Sequence, residues 1–250
     1  MNSENPLRSF ASQLSGLLGL IFESANMKKP TGKIGPFKVS VDDKRDIIGC
    51  YEKISFPKIK DEIEEYIVQR FIFSANKELE KTGEKFIISN PTKNELDDFD
   101  FNVTSPKGGA YLELMEAAPL KRVKGGYEKA PPEYRPYSLA SNIFEKILSK
   151  SNKYPENLSR DLFLLVYVTH WTFVFNETTV AYLRYFCANS RLKFNGIFSY
   201  SPLDYEFGTV RWIYPVSPDL INGFDPEKYK DYVVINLDVA KSELFTENKS

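Results

Sequence analysis

Apolar positions spaced three or four residues apart predict three helices in the body of the chain. The clearest spacing predicts a long helix over residues 58–81, which Gly83 should end. A second helix is predicted from Ser138, and a third over residues 176–190 with Asn176 as its N-cap. The inward face of the first helix consists of Ile59, Ile63, Ile67, Phe71 and Ala75.

Short apolar runs predict strands between and after these helices. Residues 98–103 alternate between polar and apolar side chains, and residues 161–171 are almost continuously apolar, as in a strand buried on both faces. A turn is expected at Asn90-Pro91 and another at residues 105–109. Further strands are predicted at residues 86–89, 111–116, 196–200, 209–215 and 232–237. This order predicts an α/β fold with a mixed sheet flanked by helices.

The N-terminal part has a pattern of its own. Residues 37–41 alternate and predict a peripheral strand. The residues before this strand predict an amphipathic helix followed by a linker. We divide the chain into residues 1–45, which contain that helix and linker, and residues 46–250, the α/β domain. The apolar face of that helix consists of Leu7, Phe10, Leu14, Leu17 and Ile21.

Composition and charge narrow the class of protein. The 250 residues carry a net charge of −1, and 42% of them are hydrophobic, which suffices for a packed core. The near-neutral charge argues against a broad positive surface that would bind nucleic acid, but it is compatible with a local basic groove. Cys50 and Cys187 have no metal-ligand spacing and indicate free thiols in a reducing compartment. We expect a cytoplasmic protein that does not enter a membrane.

Several common catalytic machineries are missing from the sequence. It lacks a phosphate-binding loop, a dinucleotide-binding glycine motif and the nucleophile elbow of hydrolases. His170 is the one histidine in the chain, which excludes the usual zinc sites. We expect His170 to bond to a nearby loop rather than to act as a base.

Acidic residues in the predicted strands provide the main candidate chemistry. Asp98 and Asp100 lie two residues apart and share one face of a strand, and Glu113 lies on the next strand of the hairpin. Neighbouring carboxylates repel one another unless a cation lies between them, and their oxygens suit Mg²⁺ or Mn²⁺. The sequence predicts either a divalent-metal site or an exposed strand face that carries solvated acids.

The predicted order of elements, with its acidic residues, resembles the core of the PD-(D/E)XK nuclease-like superfamily. A helix precedes three strands, with an acid in DDFDFNV and a glutamate in YLELME, and another helix and strand follow. The resemblance implies a restriction-endonuclease-like core over residues 59–171, with the added N-terminal helix outside it. It also implies that Asp98 or Asp100, together with Glu113, would bind the metal ion.

One position departs from the superfamily pattern. The lysine expected two residues after the glutamate is Met115, which has neither a charge nor a hydrogen-bond donor. Lysines on the following helix replace it in some members, and here Lys146 and Lys150 are candidates, although both also suit an exposed helix surface. The first helix often supplies a further acid, and Glu64 lies inside its apolar arc. Weaker lysine candidates are Lys107 and Lys121.

The functional expectation is a Mg²⁺- or Mn²⁺-dependent phosphodiesterase that cuts nucleic acid as an endonuclease. The alternative is a binding or interaction module that kept the fold and lost catalysis with the motif lysine. A loop over residues 124–137 interleaves basic and aromatic residues, a pattern compatible with a nucleic-acid contact or with an ordinary packed loop. Its basic residues are Lys124, Lys129 and Arg135, and its aromatic residues are Tyr127, Tyr134 and Tyr137.

Overall fold

A computed structural model gives the structure of the protein. It describes residues 34–41, 43–44, 47–51, 54–95, 98–118 and 133–235. The predicted N-terminal amphipathic helix, Lys121, most of the basic and aromatic loop and the side chain of Cys50 lie outside this described part. The division at residue 45 therefore stays a prediction.

Ten strands lie in the described part of the chain, six of them in one central sheet. They are β1 (Phe37–Val41), β2 (Ile47–Tyr51), β3 (Ser89–Lys93), β4 (Phe101–Ser105), β5 (Gly108–Glu116), β6 (Glu133–Tyr134), β7 (Leu162–Tyr167), β8 (Gly196–Pro202), β9 (Gly208–Tyr214) and β10 (Val234–Ile235). The predicted strand at residues 37–41 is confirmed as β1, which pairs with β2 in a separate two-stranded sheet. The strand predicted over residues 232–237 is described for two residues only, as β10 paired with β6.

The central sheet is mixed, with the strand order β3-β4-β5-β7-β8-β9. An antiparallel meander of β3, β4 and β5 forms one half. Strands β7 and β8 run parallel to β5, and β9 returns antiparallel at the far edge. All six residues of β7 are buried, as expected for a central parallel strand covered on both faces. The predicted α/β class with a mixed sheet is confirmed.

Three α-helices of the described chain surround this sheet. They are α1 (Lys60–Leu79), α2 (Pro136–Ser151) and α3 (Glu177–Ala188). After α1 a short 3₁₀ turn leads to Gly83, which has a φ of 73° and so takes the left-handed conformation that ends the helix as predicted. Asn176 caps α3 as predicted, because its side-chain oxygen accepts the Thr179 N–H at 2.7 Å.

The first strand of the meander was predicted in the wrong place. Residues 86–88 are not in a strand, and β3 passes through Asn90-Pro91 instead of turning there. Pro91 is tolerated because β3 is an edge strand, where a missing N–H breaks no ladder on the outer side. Asn90 has a φ of 50°, and the register shifts between Ser89 and Thr92, so an irregularity in the strand accommodates the dipeptide. Likewise β4 begins at Phe101, not at residue 98.

The core joins α1 to the middle of the sheet through aromatic rings. Phe71 of α1 is fully buried and contacts Phe86, Phe198 and Tyr200, with ring centroids 5.2 to 6.2 Å apart. The thiol of Cys187 on α3 is buried and free, and burial raises its pKa to about 12. Within the described residues no helix has the length and apolar character needed to cross a bilayer.

Candidate functional site

The hairpin of β4 and β5 places two acidic side chains next to each other. Phe101 lies opposite Leu112, so extending the antiparallel register by one residue brings Asp100 opposite Glu113. Both side chains point to the face of the sheet opposite to that of Phe101 and Leu112, since successive residues of a strand alternate between the two faces. The N–H of Leu114 donates to the Asp100 carboxylate at 2.7 Å and fixes the aspartate just before β4 begins.

A lysine from α2 lies between these two carboxylates. The Lys150 ammonium contacts the Glu113 carboxylate directly and lies 3.6 Å from Oδ2 of Asp100. It also donates to the carbonyl of Leu114 at 2.8 Å. The crossover from β5 to the parallel strand β7 requires α2 to run back along β5, which carries its last turn past the acids. The sequence prediction that Lys150 reaches under the sheet agrees with this position.

Burial and the lysine set the protonation of the acid pair. Glu113 is almost fully buried, and that burial, reinforced by the neighbouring Asp100 charge, raises its pKa above the ordinary value despite Lys150. Burial alone would raise the pKa of Asp100, but Lys150 and the Leu114 N–H lower it below the usual range. Tyr154 hydrogen-bonds to Glu113, and burial together with this carboxylate raises the pKa of its phenol. The Lys150 ammonium is therefore the counter-ion of both Asp100 and Glu113.

A second group of charges adjoins the pair on the α1 side. Glu64 is 3% exposed, which confirms its place within the buried arc of α1. Its carboxylate lies 3.5 Å from the Lys60 ammonium and 3.7 Å from that of Lys93. Burial lowers the pKa of Lys60, but the charges of Glu64 and Asp100 outweigh it and raise that pKa. Lys60 thus links Glu64 electrostatically to the acid pair.

Other candidates from the sequence occupy different positions. Asp98 is exposed in the bend before β4, two residues from the position opposite Glu113. Lys146 donates to the carbonyl of Ala118 at 2.8 Å, one helical turn away from the Lys150 contacts. Lys107 pairs with Asp161 at 3.3 Å. Among the described residues, no group of three or more acidic, histidine or cysteine side chains is arranged to hold a metal ion.

Two further expectations concern residues outside this site. His170 is the N-cap of the 3₁₀ turn at residues 171–173, and its Nδ1 accepts the Thr172 N–H of that turn at 3.3 Å. The expected bond to a nearby loop stays a prediction. Of the basic and aromatic loop, the structure describes Tyr134, Arg135 and Tyr137. Arg135 pairs with Asp231 at 2.9 Å, and the two half-buried tyrosines pack against the core.

Three residues near the acids were missed in the sequence. Lys60 precedes Glu64 by four residues, so helical spacing offered a signal for Lys60. Tyr154 lies beyond the end of α2, where that spacing loses its force. Lys93 gave no signal, because its position depends on the misplaced strand β3.

Comparison of the chain with protein-family models, with curated proteins and with solved structures finds no match.

Proposed function

We propose that this protein is a divalent-metal-dependent phosphodiesterase of the PD-(D/E)XK type that cuts nucleic acid as an endonuclease. The observation that carries the proposal is the Lys150 ammonium in contact with Glu113 and 3.6 Å from Asp100. A lysine from the following helix supplies the positive charge that Met115 lacks. The strand order agrees with a restriction-endonuclease-like core, and so do the positions of Glu113 on β5 and Asp100 just before β4.

The acid pair suits Mg²⁺ or Mn²⁺. Magnesium in proteins is ordinarily held by one or two carboxylates and keeps several waters, so a pair of acids is a sufficient protein contribution. Two carboxylates that share one ammonium retain a net negative charge, and burial together with the Asp100 charge raises the pKa of Glu113. Asp100 and Glu113 would hold the ion, which supplies polarisation of the phosphodiester and of the attacking water.

The remaining side chains hold the acids in position and neutralise negative charge. Lys150 would stabilise negative charge that develops on the phosphate oxygens, because its ammonium is already held at the acids. Its bond to the Leu114 carbonyl and the Tyr154 bond to Glu113 limit the movement of both groups. Glu64 has a supporting role in this proposal, since Lys60 and Lys93 already neutralise it.

The second candidate function is a binding or interaction module without catalysis. Met115 favours it, because a methionine occupies the motif position and packs against the core. In that case Lys150 is a structural counter-ion for the buried Glu113 and the half-buried Asp100, and the site performs no reaction.

A cleavage assay separates these two functions. We expect the purified protein to cut single-stranded or duplex DNA or RNA with Mg²⁺ or Mn²⁺ and to stop with a chelator. Glu113→Gln and Asp100→Asn should abolish cutting, because each removes a ligand charge without changing shape. Asp98→Asn, a change of the same kind at the exposed bend, should retain it.

Two results would contradict the proposal. One is the absence of metal-dependent cutting of any of these substrates, which leaves the binding module. The other is cutting that persists at the wild-type rate in Glu113→Gln, which places the chemistry elsewhere.

A further inference from the structure

An apolar groove of about 370 Å³ lies between the end of α1 and the edge strand β9. Apolar side chains line most of it, among them Leu79 of α1, Phe86, and Val210 and Trp212 of β9. Trp212 packs edge-on against Phe198, with ring centroids 4.8 Å apart, yet it is 37% exposed. The groove thus presents apolar surface to solvent.

The distribution of helices over the two faces of the sheet explains this open surface. Phe198 and Trp212 are paired on β8 and β9 and share one face, which α1 covers through Phe71. The other face has two helices, because α2 contacts it at the acid pair and Glu177 of α3 pairs with Arg211 of β9. Of the three described α-helices, one therefore packs on the face that holds the groove, and it leaves Trp212 partly uncovered at the edge.

Exposed aromatic residues extend from the groove along the side of the molecule that α1 and β9 share. Phe73 of α1 contacts Phe207 just before β9, with ring centroids 5.5 Å apart, and the two residues are 39% and 38% exposed. Nearer the start of α1, the Tyr66 hydroxyl donates to the carbonyl of Tyr205 at 3.2 Å. Single exposed apolar residues are ordinary, but a contiguous group of them indicates an interaction surface.

The first described residue lies near the other end of this row of rings. The carbonyl of Ile34 accepts the Ile54 N–H at 2.8 Å, and Phe56 packs edge-on against Tyr66 at 5.9 Å. From Tyr66 to the end of α1 the helix rises about 20 Å. Residues 22–33 can span up to about 40 Å when extended, so the chain before them can reach the groove.

The N-terminal segment has the side chains to fill such a groove. Its predicted apolar face contains Phe10, Leu14 and Leu17, the spacing by which a helix anchors itself in an apolar groove. A helix of about 15 residues is marginal in water by itself and needs a surface on which to pack. Arg8 is the one basic residue of residues 7–21, whereas helices that lie on membranes have a polar face rich in Lys and Arg.

We propose that residues 7–21 dock in this groove as an amphipathic helix, with Phe10 and Leu14 against Val210 and Trp212. The occupant is a segment of the same chain, because its tether raises its local concentration to the order of millimolar and a second molecule has no such advantage. This inference is independent of the acid pair and of the proposed function.

A crosslink within the full-length chain tests the position of the segment. Gln13→Cys, at the border of the predicted apolar face, is combined with Glu78→Cys at the exposed rim of the groove in a Cys50→Ser background. Cys187 is buried and stays unmodified. A short bismaleimide should join the two cysteines of one chain at least about fivefold more efficiently than in the control. The control is Gln13→Cys with Glu95→Cys, an exposed position beyond β3 at the opposite edge of the sheet.

Quenching of Trp212 fluorescence by acrylamide tests whether the groove is covered. Trp171→Phe leaves Trp212 as the single tryptophan of the chain. In that background, Phe10→Asp with Leu14→Asp should raise the quenching constant at least about twofold, because the apolar face no longer docks over the indole. Ser12→Asp with Ser15→Asp places the same charges on the opposite face of the predicted helix and should leave quenching unchanged.

Three results would overturn the inference. They are equal crosslinking at Glu78→Cys and Glu95→Cys, crosslinks that join two chains and so double the mass, and equal quenching in the two aspartate variants. The second result would assign the groove to another copy of the chain. Thermal unfolding checks that each variant keeps the fold of the α/β domain.

Discussion

Three side chains from three elements account for the chemistry proposed for this protein. Asp100 and Glu113 lie opposite each other because the antiparallel register of the hairpin, extended by one residue beyond Phe101 and Leu112, pairs these two positions. Lys150 reaches them from α2, where its ammonium contacts Glu113 and lies 3.6 Å from Asp100. Under the proposed function, Met115 does not argue against activity, since the same positive charge comes from Lys150 on a different element.

Lys150→Met should lower the cleavage rate by about 10²- to 10³-fold, because it removes a preorganised charge from the site. Metal affinity should be unchanged or higher, since the acids then lose their resident counter-ion. Single-turnover cleavage and metal titration measure the two effects. Lys146→Met provides the comparison, and a larger rate loss there than in Lys150→Met would contradict the assignment of Lys150.

The acid pair also predicts a pH dependence of stability. The pKa of Glu113 is raised in the folded protein. The stability that this residue contributes is therefore fully present below its unfolded pKa near 4.5, and it is lost as the pH rises through the folded pKa. The pKa of Asp100 is lowered in the folded protein, so the stability that Asp100 contributes is lost only as the pH falls below its unfolded pKa of 3.8. That loss occurs at lower pH than the effect of Glu113.

Glu113→Gln isolates the first of these effects. We expect the free energy of unfolding of the variant to rise relative to the wild type between pH 4.5 and about pH 7. Urea unfolding at both pH values measures it. A difference between the two proteins that stays constant with pH would show that folding does not raise the pKa of Glu113.

At the scale of elements, the helices were easier to predict than the meander. Regular spacing of buried residues predicted α1 and α3 to within two residues at each end, since one apolar face repeats over several turns. Ile59 was wrongly placed on the inward face of α1, because it precedes the helix and is exposed. Strand β3 was misplaced because Asn90-Pro91 has the local chemistry of a turn, whereas an edge strand tolerates it. The start of β4 was misplaced because the alternation of side chains continues into the bend that precedes it.

The cap of α3 gives a prediction at this scale. Asn176→Ala should lower the free energy of unfolding by about 1 kcal/mol, because the Thr179 N–H loses its acceptor. Urea unfolding with an unchanged slope measures the loss. Asn189→Ala, at the exposed C-terminal end of the same helix, should cost less. Equal costs would mean that the cap contributes nothing specific.

At the scale of the whole molecule, the sequence could predict the α/β class, the buried central strand and a carboxylate pair. It could not choose between Asp98 and Asp100, because that choice depends on where pairing begins. Nor could it choose between Lys146 and Lys150, because both lie on the same side of α2 and only the distance to the acids separates them. The polar cavity lined by residues near the starts of β5 and β7 was not predicted, since residues from three segments that are far apart in sequence form it.

The central claim is that Asp100 and Glu113 together bind one divalent cation. Calorimetric titration of Mn²⁺ into the purified protein tests it most directly. We predict one saturable site in the wild type and in Asp98→Asn, and no site in Asp100→Asn or Glu113→Gln. Absence of binding in the wild type, or equal binding in all four proteins, would contradict the account.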